Sequence, residues 1–369
     1  MKKLLLFFPH NFLTNSAGCH TRCWSMIDFF KKLDFEIYLV SFTDFDIYHW
    51  TEADINLSKE YFSDSLILSK EDAKNKFLKF AKKHNITHTL ISYSYYSWLI
   101  EDPYFDSKVK ICDTHDIIEY SIYMSDKLNS MFGDLAMVKS KDISNDLFKY
   151  DFISNKEIDS IKINTEDLKR FDLILSISDF EAIKLKDLGF KNVVYFTYSQ
   201  LGKITKKNEY SIDPIFVASI NPFNLQSYII MRDRLKLPFK VNVIGNISNK
   251  IDRNNDFNIF GRVNDLSFFY KKTKFSLCPI IAGTGTKIKI LDSMANGVPV
   301  VGTNFSAKGT PIIDNRNGFI SNSWDDFVEK SKELYDNIDL QKKFSKNSLI
   351  DMKEYVSFKK NYNTIKNYL

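Results

Sequence analysis

Short apolar runs alternate with stretches of helical period along the first half of the chain. Leu4–Phe8 is an unbroken apolar run, and Cys23–Leu33 places Met26, Ile27, Phe29 and Phe30 at helical spacing. Glu36–Phe42 reads as a strand and Lys76–His84 as a helix. His88–Tyr95, Lys108–Asp116, Phe171–Ser178 and Asn192–Tyr198 read as further strands. The helix Phe180–Leu188, stopped by Gly189, precedes the last of them. Strands separated by helices predict a parallel sheet covered on both faces.

Lys203–Glu209 is polar and charged without an apolar period, and reads as a linker. The alternation then restarts. Asp213–Ser219, Lys240–Gly245, Phe257–Gly261, Lys274–Ile280 and Pro299–Thr303 are strand-like. Leu266–Thr273, Ile288–Asn296, Asp325–Asn337 and Glu354–Leu369 are helical. The expected architecture is α/β, with two doubly wound parallel-sheet domains over residues 1–205 and 206–345. A helical segment, 346–369, is expected to pack back on the first domain. Ligands of such sheets bind outside the carboxyl ends of the strands. With two facing domains, the expected site is the interdomain cleft.

The 369 residues suffice for two domains, and 44% hydrophobic with 26% charged residues describes an ordinary folded chain. A net charge of +5 suits an anionic small ligand but is too weak an imbalance to argue for nucleic acid. The four cysteines, Cys19, Cys23, Cys112 and Cys278, include no CxxC pair. They read as reduced thiols of a cytoplasmic protein, with no disulfide framework and no metal site. The apolar run at Leu4–Phe8 is too short for a secretory signal, and no run of 18 apolar residues could span a membrane. Lys76–His84 resembles a basic membrane-surface helix. Core packing with a solvated basic face is the preferred reading, which leaves open a peripheral contact with the inner face of the membrane.

The segment richest in chemistry is Phe275–Gly309. A strand runs into the small-residue loop Gly283, Thr284, Gly285 and Thr286, and a helix follows with Lys287 in its first turn. Asn296, Gly297 and Pro299 end that helix. Such a turn aims backbone N–H groups and the positive end of a helix at one point, which suits phosphate. A lysine there disfavours the helix by roughly 0.3–1 kcal/mol, a conflict that a bound anion would relieve. The alternative is a tight turn with a solvated lysine. Neither the Walker spacing nor the GxGxxG dinucleotide fingerprint is present.

The run GTGTKIKILDSMANGVPVV, residues 283–301, closely resembles the donor-binding segment of family 4 ("group 1") glycosyltransferases of the GT-B fold. Those commonly read G-x-G-T-[KR]-x-K-[IL]-L-E-A-M-A-x-G-x-P-V-V. The flanking FVASINPFN, FGRVNDLSFFYKKTKFSLCPI and NGFISNSWDDFVEKSKELYDN agree with that family, as do DTHD and LILSISDFEAIKL in the first half. The resemblance implies transfer of a sugar from a nucleotide sugar, such as a UDP- or GDP-sugar, to a glycan, lipid-linked or protein acceptor. Surface polysaccharide biosynthesis and protein glycosylation both fit. It also implies retention of anomeric configuration, no bound metal and no cofactor.

By this resemblance Gly283, Thr284, Gly285, Thr286 and Lys287 hold the donor diphosphate, and Asp292 stands where the family has a glutamate that binds the ribose. Thr284 occupies the position of a second family glutamate that contacts the donor sugar. Arg262 is a candidate for the basic residue that is missing after the first strand of the second domain. On the acceptor side stand Gly18, Tyr93, Tyr95 and Asp116. His115 joins Lys287 as a candidate catalytic residue, with Asp116 expected to orient it or to cap a helix. Asp44-Phe45-Asp46 imitates the metal-binding DxD of another glycosyltransferase fold and reads as a polar loop. Two other functions remain open at this stage, a non-catalytic GT-B-like partner of an active transferase and a sugar-nucleotide epimerase.

Overall fold

The structure is a computed structural model that describes residues 2–14, 17–44, 48–132, 145–198, 207, 209–252 and 255–369. The chain forms β1 (Lys2–Phe7), α1 (Gly18–Lys31), β2 (Phe35–Phe42), α2 (Glu52–Tyr61), β3 (Asp64–Leu68), α3 (Ala73–His84), β4 (His88–Ser92) and β5 (Val109–Asp113). Two helices follow, α4 (Ile118–Phe132) and α5 (Asn155–Ser160). After them come β6 (Leu173–Ser176), α6 (Asp179–Asp187) and β7 (Val193–Tyr195). The second series runs β8 (Ile215–Val217), α7 (Pro222–Asp233), β9 (Val241–Ile244), β10 (Phe257–Gly261), α8 (Ser267–Lys272), β11 (Ser276–Cys278), α9 (Ile288–Ala295), β12 (Val300–Thr303), α10 (Asn304–Ala307) and β13 (Gly318–Ser321). It closes with α11 (Trp324–Asp336), α12 (Ile338–Tyr355) and α13 (Phe358–Ile365).

The strands form two sheets, each parallel throughout. The first has the order β3-β2-β1-β4-β5-β6-β7 and the second β10-β9-β8-β11-β12-β13. Both are doubly wound, so each has a switch point, at β1/β4 in the first and β8/β11 in the second. Central strands are buried on both faces: Leu4, Leu5, Leu6 and Phe7 of β1 lie in the core, as do Val241, Val243 and Ile244 of β9.

Two compact units contain these sheets. The first comprises Met1–Ile117, Ile163–Gln200 and Val356–Leu369, and the second Ile118–Lys162 and Leu201–Tyr355. A division at 205/206 falls outside the described residues, and it would leave Ile118–Lys162 with the wrong sheet. In the second unit Tyr150 donates to the Ser321 carbonyl, and the Trp324 indole donates to the Phe148 carbonyl at 2.6 Å. The segment expected as 346–369 begins inside α12, and only Val356–Leu369 belongs with the first unit. There Phe358 packs on Phe29 at 5.1 Å, and Asn361 bonds the backbone of Thr197 in both directions. Lys203–Lys206 and Asn208 of the expected linker lie outside the described residues. Lys207 is buried rather than solvated, its ammonium donating to the Tyr270 carbonyl at 3.1 Å.

Candidate functional site

In the second unit, β11 leads into the loop 279–287 at the switch point. Gly283 has φ 131° and Gly285 φ 60°, both in the region that side-chain-bearing residues avoid. A Cβ on Gly283 would lie 3.5 Å from the Phe223 ring of α7. Lys287 is the N-cap of α9, which has neither a side-chain cap nor an acidic residue in its first turn. The first N–H groups of such a helix have no intrahelical acceptor. Lys287 is buried; its ammonium donates to the Gly285 carbonyl at 3.1 Å and sits 4.8 Å over the Phe305 ring. Thr286 is buried, and Thr284 and Gly285 are half-buried. Asp292, one turn and a half further along α9, is half-buried, and desolvation raises its carboxyl to about 7. The structure therefore places the Gly283–Lys287 group and Asp292 on one loop and the helix it opens. Arg262 stands apart, exposed just after the edge strand β10.

A second lysine joins this switch point. Lys289 donates to Asn224 Oδ1 in the first turn of α7, and Asn224 Nδ2 donates in turn to the Ser219 carbonyl at 2.8 Å. Burial lowers the Lys289 ammonium to about 8. The motif GTGTKIK contained this residue, but its approach to the loop after β8 depends on a contact between segments 65 residues apart.

In the first unit, the loop after β1, Tyr93 after β4 and His115 after β5 gather at the β1/β4 switch point. Tyr93 (φ 69°) and His115 (φ 56°) both have left-handed backbone, which turns the chain sharply off each strand. The expected strand His88–Tyr95 therefore ends at Ser92. The Tyr93 amide donates to the Asp113 carbonyl at 2.8 Å, and the Tyr93 and His115 rings stack 4.4 Å apart. Tyr95 is exposed, with its ring 5.5 Å from Tyr93. Gly18 opens α1.

His115 Nε2 lies 3.1 Å from Asp113 Oδ2. Asp113 is thus the buried carboxylate beside the imidazole, and Asp116 is half-buried in the same turn. Arg22 on α1 holds Asp113 from the other side, with Nη2 and Nε at 2.9 and 3.2 Å from Oδ1, and Nη1 donates to the Phe196 carbonyl. Burial lowers the His115 pKa to about 4, against the opposing pull of Asp113, so the ring is neutral near pH 7. Arg22 escaped the sequence reading, although it lies on the same helical stripe as Met26 and Phe29, where an arginine requires a buried partner.

Folding also brings His10, Cys19 and His20 together, a grouping their spacing in the sequence does not show. Asp44 of the DxD-like run accepts from the Lys70 amide at 2.7 Å and from the Thr43 hydroxyl at 2.8 Å, a loop-closing role. Phe45 and Asp46 lie outside the described residues. On α3, Phe77, Phe80 and Ala81 are buried while Lys76, Lys79, Lys82 and Lys83 are exposed, the core-packing arrangement. No helix among the described residues is long and apolar enough to cross a membrane.

Residues 225–337 match the family described as "Glycosyl transferases group 1". No curated protein matches the chain in sequence. Among solved structures, the chain is similar over its whole length to HepE of Anabaena in complex with UDP and glucose, at TM-score 0.69 and 11% identity, covering 99% of that chain. It is similar in the same way to a variant of S. aureus TarM in complex with fondaparinux, α-GlcNAc-glycerol and UDP (TM-score 0.63, 11% identity, 99% of that chain). Sucrose-phosphate synthase from Thermosynechococcus elongatus gives TM-score 0.62 at 10% identity over 98% of its chain. The chain has the GT-B fold. The segment of its second unit that matches the group 1 family includes the whole Gly283–Lys287 loop and Asp292.

Proposed function

We propose that this chain is a glycosyltransferase that takes a sugar from a nucleoside diphosphate sugar and passes it to a glycan, lipid-linked or protein acceptor. It does so with retention of configuration and without a metal at the diphosphate. One observation carries the reading: the uncapped start of α9, with Lys287 at its N-cap, stands at the switch point of a parallel sheet inside the matched family segment. The chemical task is to stabilise the departing diphosphate. Oriented N–H dipoles and Lys287 do this in a desolvated setting, with Lys289 adding a second positive charge. Asp292 binds the nucleoside ribose. Acceptor recognition falls to the first unit, through Gly18, Tyr93, Tyr95 and Asp116, with His115 helping to place the sugar. The departing phosphate takes the acceptor proton, so no dedicated base is required.

Thr284 and Asp292 stand where the family has glutamates, which favours a second reading as a non-catalytic partner that binds a nucleotide sugar without transferring it. A panel of UDP, GDP and their hexose conjugates in a thermal-shift assay, followed by hydrolysis and transfer assays with each conjugate that raises the melting temperature, tests both. Stabilisation with turnover supports the transferase. Stabilisation without hydrolysis or transfer supports the partner, and no stabilisation by any nucleotide sinks both.

A further inference from the structure

His10, Cys19 and His20 lie in the loop after β1 and the first turn of α1, and their ligand atoms are all within 4.8 Å of one another. His10 and His20 are 6% and 0% exposed, and Cys19 is half-buried. His10 Nδ1 is 3.3 Å from the Asn11 carbonyl oxygen. With Nδ1–H donating there, Nε2 carries the lone pair, the backbone-anchored tautomer in which histidine commonly binds a metal. Asn11 is itself fixed: its side chain donates to the His49 carbonyl at 3.1 Å and accepts from the Leu13 amide at 3.0 Å. The Tyr48 ring stacks on His10 at 4.9 Å and meets His20 edge-on at 4.7 Å, bracing both imidazoles. Neutral imidazole is the ligating form.

We propose that His10, Cys19 and His20 form a binding site for a late first-row divalent cation, zinc foremost. Two imidazole nitrogens and one sulfur suit such an ion, with a water in the fourth position. Zinc bonds of about 2.0–2.1 Å to nitrogen and 2.3 Å to sulfur require ligand atoms roughly 3.3–3.7 Å apart, so the three side chains draw in by about 1 Å. Binding releases one proton, from the Cys19 thiol. The ion ties the start of α1 to the loop after β1. The proposal stands whether or not the chain is a transferase.

The full chain, reduced and stripped with EDTA, is titrated with Zn²⁺ against a competing chromophoric chelator, and with Co²⁺ while its absorption spectrum is followed. The expected result is one saturable site per chain, a raised melting temperature with Zn²⁺, and a thiolate-to-cobalt charge-transfer band. Cys19→Ser should abolish the band and weaken Zn²⁺ at least 100-fold, with His10→Gln weakening it by a similar factor. Cys23→Ser, four residues along α1, should leave both intact. Serine changes Cys19 by one atom, and circular dichroism establishes that the variant is folded. Absence of saturable binding, or binding that survives both Cys19→Ser and His10→Gln, overturns the proposal.

Discussion

Arg22 and Asp113 form a two-point ion pair in the interior of the first unit, with both side chains essentially without solvent exposure. The pair joins α1 to the end of β5 and sets the carboxylate beside His115. Removing one partner strands a buried charge, at a cost of about 3–5 kcal/mol, whereas replacing both with apolar residues costs far less. Arg22→Met should therefore lower the urea midpoint strongly, and Arg22→Met with Asp113→Leu should recover a good part of it. A double variant no more stable than the single one would show that the stability comes from packing rather than from charge compensation.

Much of the fold was legible because both sheets are made of buried strands, whose apolar runs at Leu4–Phe8, Phe171–Ser178 and Pro299–Thr303 stand out. The Gly283–Lys287 loop was legible because its constraints are local: two left-handed glycines, a helix start and a lysine within a few residues. Other features carry weak local signals. Strand β3 is an edge strand and mostly half-buried, so Asp64–Leu68 shows little pattern. The allegiance of Ile118–Lys162 to the second sheet rests on contacts such as Tyr150 to Ser321, 171 residues apart. Pairing of Arg22 with Asp113 spans 91 residues, and the grouping of His10 with His20 needs the loop between them folded.

Lys287 should matter to turnover far more than to stability. Its ammonium is satisfied by a carbonyl and an aromatic face in the free chain, both weak partners beside a diphosphate. Loss of one preorganised stabiliser of developing charge costs roughly 10²–10³-fold in kcat. Lys287→Ala should show that loss in steady-state assays with a melting temperature close to the parent's. Near-normal turnover would remove the diphosphate assignment.

Asp292 should give the chain a pH-dependent stability of unusual sign for a carboxylate. Its folded pKa is raised to about 7 from 3.8, so the folded state holds a proton that the unfolded state has released. The stabilisation is complete below about pH 3.8, declines as pH rises to about 7, and is gone above that. The slope can reach about 1.4 kcal/mol per pH unit. Asp292→Asn removes this dependence. The melting temperature of the variant relative to the parent should climb between pH 5 and pH 7 and then level off. A gap that stays constant across that range would count against the raised pKa. In the same variant series, Asp292→Ala should weaken binding of the bare nucleoside diphosphate by about 1.5–3 kcal/mol, the scale of a hydrogen bond to a charged group.

His115 offers the sharpest separation of binding from transfer. It sits in the first unit, stacked on Tyr93 and beside Asp113, whereas the Gly283–Lys287 loop belongs to the second. Its backbone is left-handed, a cost that histidine and alanine both bear through their Cβ, whereas glycine would relieve it by roughly 1–2 kcal/mol unrelated to the imidazole. His115→Ala is therefore the cleaner variant. It should reduce transfer at least tenfold, about 1.4 kcal/mol in the barrier, while leaving affinity for the nucleoside diphosphate within a factor of two. Restoring the imidazole's packing without its nitrogens, as in His115→Phe, should recover melting temperature but not transfer. If His115→Ala lowered nucleotide affinity and transfer together, the residue would be a structural one whose loss disturbs the whole chain. If transfer were untouched while the melting temperature fell, the imidazole would serve only to secure Asp113 and Tyr93.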